Sequence, residues 1–252
     1  MAVNINTVYT TVLYILNKEQ RGYINPGEFN SLATQVQEEI FESYFPDGNQ
    51  LNRANQQNMQ NDTEFFNVFK NNAYKLYPFE SSQAFTYNVD NDAWRFSGSG
   101  SLYNIGEITS IYNTTNPRYD SMTELVSKKE YTTISKSKLT TPTSQYPLAY
   151  ITNATIAPAT SPEVLLKISP KPDSVSANCV LKPTSPVWGF NVGTLGQYTY
   201  TSGTSTDFQL DTSEQANIIT KILKYAGVII NDPTVIQTAT AEAQKVEVNE
   251  KS

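Results

Sequence analysis

The chain has no histidine and a single cysteine in 252 residues. Without histidine there is no Ser/His/Asp or Cys/His nucleophilic arrangement and no imidazole-ligated metal. With one cysteine there is no internal disulfide framework. Cys179 lies in S-A-N-C-V-L beside apolar residues, which reads as a buried structural thiol. Charge is also scarce. Charged residues make up 17% of the chain, and its polarity comes mainly from Asn, Gln, Ser and Thr. The net charge of −6 argues against gripping a phosphate backbone, which needs concentrated Lys and Arg. An acidic wall does suit a lumen through which DNA slides unheld. The apolar run from Val8 to Leu16 is too short and too polar to span a bilayer, and no basic segment precedes it. These absences point to a protein made in a cytoplasm, used there or carried out in an assembly, with no membrane partner.

Sixteen Tyr and eleven Phe argue against simple disorder, because aromatics drive burial. The strongest local signal runs from Asn25 to Phe45. Asn25 is a good N-cap, Pro26 falls at the first helical position, and Glu28 stands three after the cap, as in a capping box. Phe29, Leu32, Ala33, Val36, Ile40, Phe41, Tyr44 and Phe45 then follow a helical period. A shorter helix is expected over residues 5–17, paired antiparallel with this one, and one long or two short helices between Gly48 and Leu76. Helical grammar returns at Asp211, with Glu214 three residues on, Ile218 and Ile222 on the apolar face, and Gly227 as a natural stop. Asp232 and Pro233 open a last helix with Val235 and Ile236.

Between these ends, Gly, Pro, Ser, Thr and Asn become frequent. Short strands are expected at 84–89, 93–96, 108–112, 149–151, 164–168, 180–181, 198–201 and 208–210. The fold class is therefore α+β: N- and C-terminal helices form a helical subdomain, with an inserted antiparallel β domain of sandwich or small-barrel type. The expected divisions are an N-terminal helical segment over residues 1–76, a β domain over 77–210, C-terminal helices over 211–241 and a flexible tail over 242–252. The lysines at 128, 129, 136 and 138 read as a solvated surface.

No chemistry assembles from these residues. Asp90–Trp94 starts like a calcium loop but lacks its later ligands and central Gly, so a solvated turn is expected. The G-S-G-S at Gly98 lacks the strand–Gly–helix setting and G-K-[ST] of a phosphate loop, and reads as a hairpin connection. Trp94 and Trp188 read as core anchors, and no pair of carboxylates stands out for sugar cleavage. Catalytic, cofactor and metal residues are all expected to be absent.

The N-terminal N-I-N-T-V-Y…V-L-Y-I-L-N-K-E-Q-R-G-Y-I-N-P-G-E-F-N-S-L-A-T-Q-V-Q-E-E-I-F-E-S-Y-F resembles one family of virion structural proteins in crAss-like and related podovirus-type tailed phages. The central Y-T-T-I-S-K-S-K-L-T-T-P-T-S-Q-Y-P and K-P-T-S-P-V-W, and the closing I-L-K-Y-A-G-V-I-I-N-D-P, resemble it in the same order, so the likeness spans nearly the whole chain. It implies a ring or adaptor protein of the head–tail connector, stacked below the portal as a homo-oligomer of about twelve copies. The genomic DNA would pass through without sequence-specific binding, and the site of action would be the virion. On that reading Phe29, Val36, Ile40, Tyr44, Ile218, Ile222, Val235 and Ile236 are candidate assembly-interface residues. The terminal segments Met1–Ile5 and Glu242–Ser252 are candidate clasps that order on assembly. The rival readings are a tail-associated receptor-binding or other peripheral tail protein, favoured by Tyr, Trp and Asn in the β region, and a virion-borne glycosidase.

Overall fold

A computed structural model describes residues 2–18, 23–45, 74–112, 119–155 and 163–230, with isolated helical positions at 237, 240, 241, 244 and 245. The fold is mixed α+β and contains a closed seven-stranded barrel. The chain divides into two compact units, one spanning Phe79–Lys182 and the other combining Met1–Pro78 with Pro183–Ser252.

The barrel comprises β2 (Glu80–Asn88), β3 (Ala93–Phe96), β4 (Leu102–Tyr112), β5 (Tyr119–Leu125), β6 (Leu148–Ala154), β7 (Glu163–Ser169) and β8 (Ser174–Leu181). Around the barrel the order is β2-β3-β7-β6-β5-β4-β8, closing β8 onto β2. Every pairing is antiparallel except β5 with β6. Parity demands that exception. Strands that alternate direction around a closed ring must be even in number, so seven strands force at least one parallel neighbour pair. A parallel pair needs a crossover rather than a tight hairpin. The crossover here holds a helix, α3 (Lys128–Lys136), where only a solvated surface was expected. Ser127 and Glu130 form a capping box at its start, and Tyr131 packs on Tyr150 of β6 at 4.6 Å.

Tyr87, Trp94 and Leu166 stand abreast on three neighbouring strands, and Ile151, paired with Leu166 on the next strand, is half-exposed. Phe85, Ile108, Val175 and Cys179 add to the barrel's apolar interior. Its buried hydroxyls have partners: Ser110 and Thr123 share a 2.5 Å hydroxyl bond, and Ser121 donates to the Ser144 backbone carbonyl at 2.6 Å. Residues 97–101 are not a hairpin connection, because β3 and β4 are not neighbours; β2 and β8 lie between them. Gly100 there has φ +107°, which favours glycine.

In the other unit, β1 (Ala2–Val3) pairs antiparallel with β11 (Phe208–Asp211). Val3 and Ile5 of the candidate Met1–Ile5 clasp are buried in the chain's own core, so neither is left to clasp another copy in this fold. Helix α1 covers Ile5–Lys18, α2 covers Pro26–Ser43 and α4 covers Gln215–Ile230. The α2 capping box is as expected, with Glu28 N–H donating to Asn25 Oδ1 at 3.0 Å and Asn25 N–H to Glu28 Oε2 at 3.1 Å. Both α1 and α2 pack chiefly on α4, and they touch each other where Tyr9 meets Phe29 at 4.8 Å. The expected α1–α2 pairing is thus secondary to the contact each makes with α4.

Two details at α4 differ from expectation. Asp211 caps a 3₁₀ turn (Thr212–Glu214) that leads into the helix, while buried Glu214 turns away to Lys75 (2.6 Å) and Asn217 (3.0 Å). The helix also runs through Gly227, which lies inside it. The helices expected between Gly48 and Leu76, the final one carrying Val235 and Ile236, and the 242–252 tail lie largely outside the described residues.

The segment 183–210, expected in the β domain, groups with the helices. Side-chain amides on α2 hold it there. Asn30 brackets the Trp188 backbone, accepting its N–H at 2.7 Å and donating to its carbonyl at 3.3 Å. Two turns on, Gln37 donates to the Thr184 carbonyl at 2.8 Å and accepts the Gln209 N–H at 3.0 Å. Asp207 accepts the Ile5 N–H at 2.9 Å, adding a partner at the start of α1.

Candidate assembly interface

The helix faces that read as an assembly interface are the protein's own core. Phe29, Val36, Ile40, Ile218 and Ile222 are fully buried and Tyr44 is 4% exposed. The α2 stripe faces α4, so each covers the other's apolar side. Val235 and Ile236 lie outside the described residues. The six described positions therefore lose the interface assignment, because an apolar helical stripe looks the same whichever surface covers it.

The exposed apolar side chains of this unit are elsewhere. On α1, Tyr14 is 79% and Ile15 42% exposed, beside open clefts of about 530 and 540 Å³ that Thr10 and Tyr14 both line. A second group is carried by an antiparallel ribbon, β9 (Phe190–Val192) with β10 (Tyr198–Tyr200). Leu195, near its tip, is 91% exposed, and Val192 and Tyr198 are also exposed.

An aromatic series anchors the ribbon. Tyr9 packs on Trp188 at 4.2 Å, Trp188 stacks on Phe190 at 6.0 Å, and Phe190 meets Tyr198 edge-on at 5.0 Å. The Trp188 indole N–H donates to Asn6 Oδ1 at 3.0 Å. Burial, followed by the neighbouring Tyr23, pushes the Tyr9 phenol above its ordinary range. Gly189 is required at the ribbon's base: a Cβ there would lie 2.7–2.8 Å from the Thr204 backbone. From Pro183 to Thr206 there is no charged residue. That absence was the available sequence signal for this surface, since a polar loop free of charge pays little desolvation cost when a partner covers it.

Cys179 is buried, and burial pushes its thiol up to about 11, away from the thiolate a nucleophile needs. In the β2–β3 turn, Asp92 adopts φ +48°. Its carboxylate accepts from Tyr87 Oη at 2.6 Å and lies 3.4 Å from Lys167. The Tyr87 bond is the main cause holding the Asp92 carboxyl below its usual range. Both tryptophans are buried, Trp94 in the barrel and Trp188 under the ribbon. Among the described residues no cluster of His, Cys, Asp and Glu could hold a metal ion, and no helix is long and apolar enough to cross a membrane. The comparison with known proteins adds no relative: no family model matches the chain, and no curated protein matches it.

Proposed function

We propose that this protein is a structural subunit of a tailed phage's head–tail connector, a ring or adaptor component stacked below the portal around the DNA channel. The observation that carries the reading is the β9–β10 ribbon: exposed, charge-free across its whole approach, and braced by Trp188. A braced apolar arm on a chain whose described residues hold no metal-ligand cluster suits contact with another protein. The full-length resemblance supplies the setting. In this reading the helices from both ends of the chain form one platform that meets neighbouring copies, and the barrel inserted between them is a separate module. About twelve copies form the ring, assembled in the host cytoplasm and carried in the virion, and the protein is not an enzyme. The net charge of −6 supports a wall past which DNA slides. Burial of both tryptophans counts against the receptor-binding alternative, whose sugar platforms would have to be open.

Native mass spectrometry of the purified protein, alone and mixed with portal protein, tests this. A closed ring, or one that forms on the portal, is the expected result. A stable monomer or trimer that ignores the portal refutes the connector role.

A further inference from the structure

Nine basic and nine acidic side chains balance in the barrel unit, so the whole formal charge of −6 belongs to the other unit. Within each unit one helix concentrates its charge. Lys128, Lys129 and Lys136 lie within about 100° of one another around the α3 axis, and Lys138 follows the helix. Tyr131 and Ile134 take the opposite flank. All four lysines are exposed, and none forms an ion pair among the described residues. The helix's one acid, Glu130, is held by Ser127 in the capping box.

Helix α2 is the counterpart. It has no Lys or Arg, and Glu28, Glu38, Glu39 and Glu42 share a stripe about 100° wide. Glu28 belongs to the Asn25 capping box, and Glu39 is engaged by Lys221 and Tyr225 at 2.9 Å each. Glu38 and Glu42 are exposed, without an ion pair among the described residues.

From this charge complementarity we infer that the lysine face of α3 docks on the Glu38–Glu42 end of α2 in the next copy of this chain. The inference rests on the ring reading and names the contact that builds the ring. Two different patches of opposite sign make a heterologous contact, which propagates around a ring, whereas one self-complementary patch would stop at a two-fold dimer. Exposed ion pairs add modest affinity but steer encounter and fix orientation, so the contact is salt-sensitive. A nucleic acid is the weaker occupant, because the patch has no arginine and sits on a chain of net negative charge.

The test uses the full chain at rising concentration, at low and at high salt, followed by native mass spectrometry. Three variants are compared: Lys128→Glu/Lys129→Glu/Lys136→Glu, Glu38→Lys/Glu42→Lys, and the combination of both sets. All five positions are exposed, and far-ultraviolet circular dichroism checks that each variant is folded. Each reversal alone should raise the concentration for half-assembly by about tenfold or more, and the combination should recover most of the loss. If wild type forms rings and the lysine reversal forms them equally well, the α3–α2 contact is refuted and the ring reading stands. Folded single reversals that lose assembly without recovery in the combined variant refute the pairing as well. If wild type forms no ring at any concentration, alone or mixed with portal protein, the ring reading falls and takes this contact with it. If wild type retains a DNA duplex that the lysine reversal releases, while rings are unaffected, the patch serves nucleic acid and the inference is wrong.

Discussion

Gln37 allows a sharp test of how the helical unit is held. Its side chain is 1% exposed, with its Nε2 on the Thr184 carbonyl and its Oε1 on the Gln209 N–H. Gln37→Leu keeps the volume and removes both bonds. Each is worth about 1 kcal/mol net, and Thr184 and Gln209 lie at the surface, where their backbone groups can find water. The expected loss is therefore about 2 kcal/mol, or roughly 1 M in the urea midpoint. Gln37→Glu keeps the acceptor for Gln209 but turns an acidic oxygen toward the Thr184 carbonyl. Ionised, that oxygen has nothing to accept from; protonated, it donates as the amide did. The folded-state pKa of the introduced carboxyl is then raised above the unfolded value of about 4.3. The group's contribution is whole below about pH 4.3 and lost as pH rises through the folded pKa. The Gln37→Glu variant should therefore match or exceed Gln37→Leu in stability near pH 4 and fall below it at pH 7. A Trp94→Phe background leaves Trp188 as the sole tryptophan, so fluorescence in urea reports this unit. Parallel pH profiles for the two variants, or a Gln37→Leu protein as stable as the parent, would refute the amide-lock account.

Burial raises the Glu39 carboxyl, but bonds from Lys221 and Tyr225 outweigh it and leave the pKa lowered, so its contribution is present above the unfolded pKa and lost as pH falls. Glu39→Gln should cost under about 1 kcal/mol at pH 7, discounted for exposure, with the difference from the parent closing toward pH 3 in urea melts. The Cys179 thiol should resist a thiol reagent at pH 8 in the folded protein and react quickly in urea; equal rates would show that the barrel does not protect it. For the buried hydroxyl pair, Ser110→Ala and Thr123→Val should each cost about 1–2 kcal/mol, and the double variant should cost less than their sum, because each single leaves one hydroxyl without its partner. Additive losses in urea denaturation would disprove the coupling.

The elements legible in the sequence were those in which periodicity and punctuation agree. The α2 start declared itself through Asn25, Pro26 and Glu28, and β3 was read at its observed limits, 93–96. Less legible were the polar contacts. Asn30 and Gln37 are polar residues on a helix, and nothing local says that each will face a backbone about 150 residues away. The interface assignment failed for the complementary reason: the period of Phe29, Val36 and Ile40 establishes that a face is buried without identifying what buries it. The surface signal lay instead in the charge-free run from Pro183 to Thr206.

The two omissions in the barrel are one omission. Within 79–182 the readable strands numbered six, and six strands can close a barrel with every neighbour antiparallel. The seventh, β5, escaped because its alternation is reversed: Ser121 and Thr123 point inward and are buried, while Met122 is 70% exposed. A reading based on apolar alternation places such a strand on the wrong face or discards it. Once β5 is present the count is odd, a parallel junction follows, and the junction requires a crossover long enough to traverse the barrel wall. The chain between Leu125 and Leu148 supplies it, and S-K-K-E from Ser127 to Glu130 is the capping signal that starts its helix. A strand made legible by its inward hydroxyls would therefore have called for α3, and with it for an ordered helix bearing the lysines rather than a loosely solvated stretch.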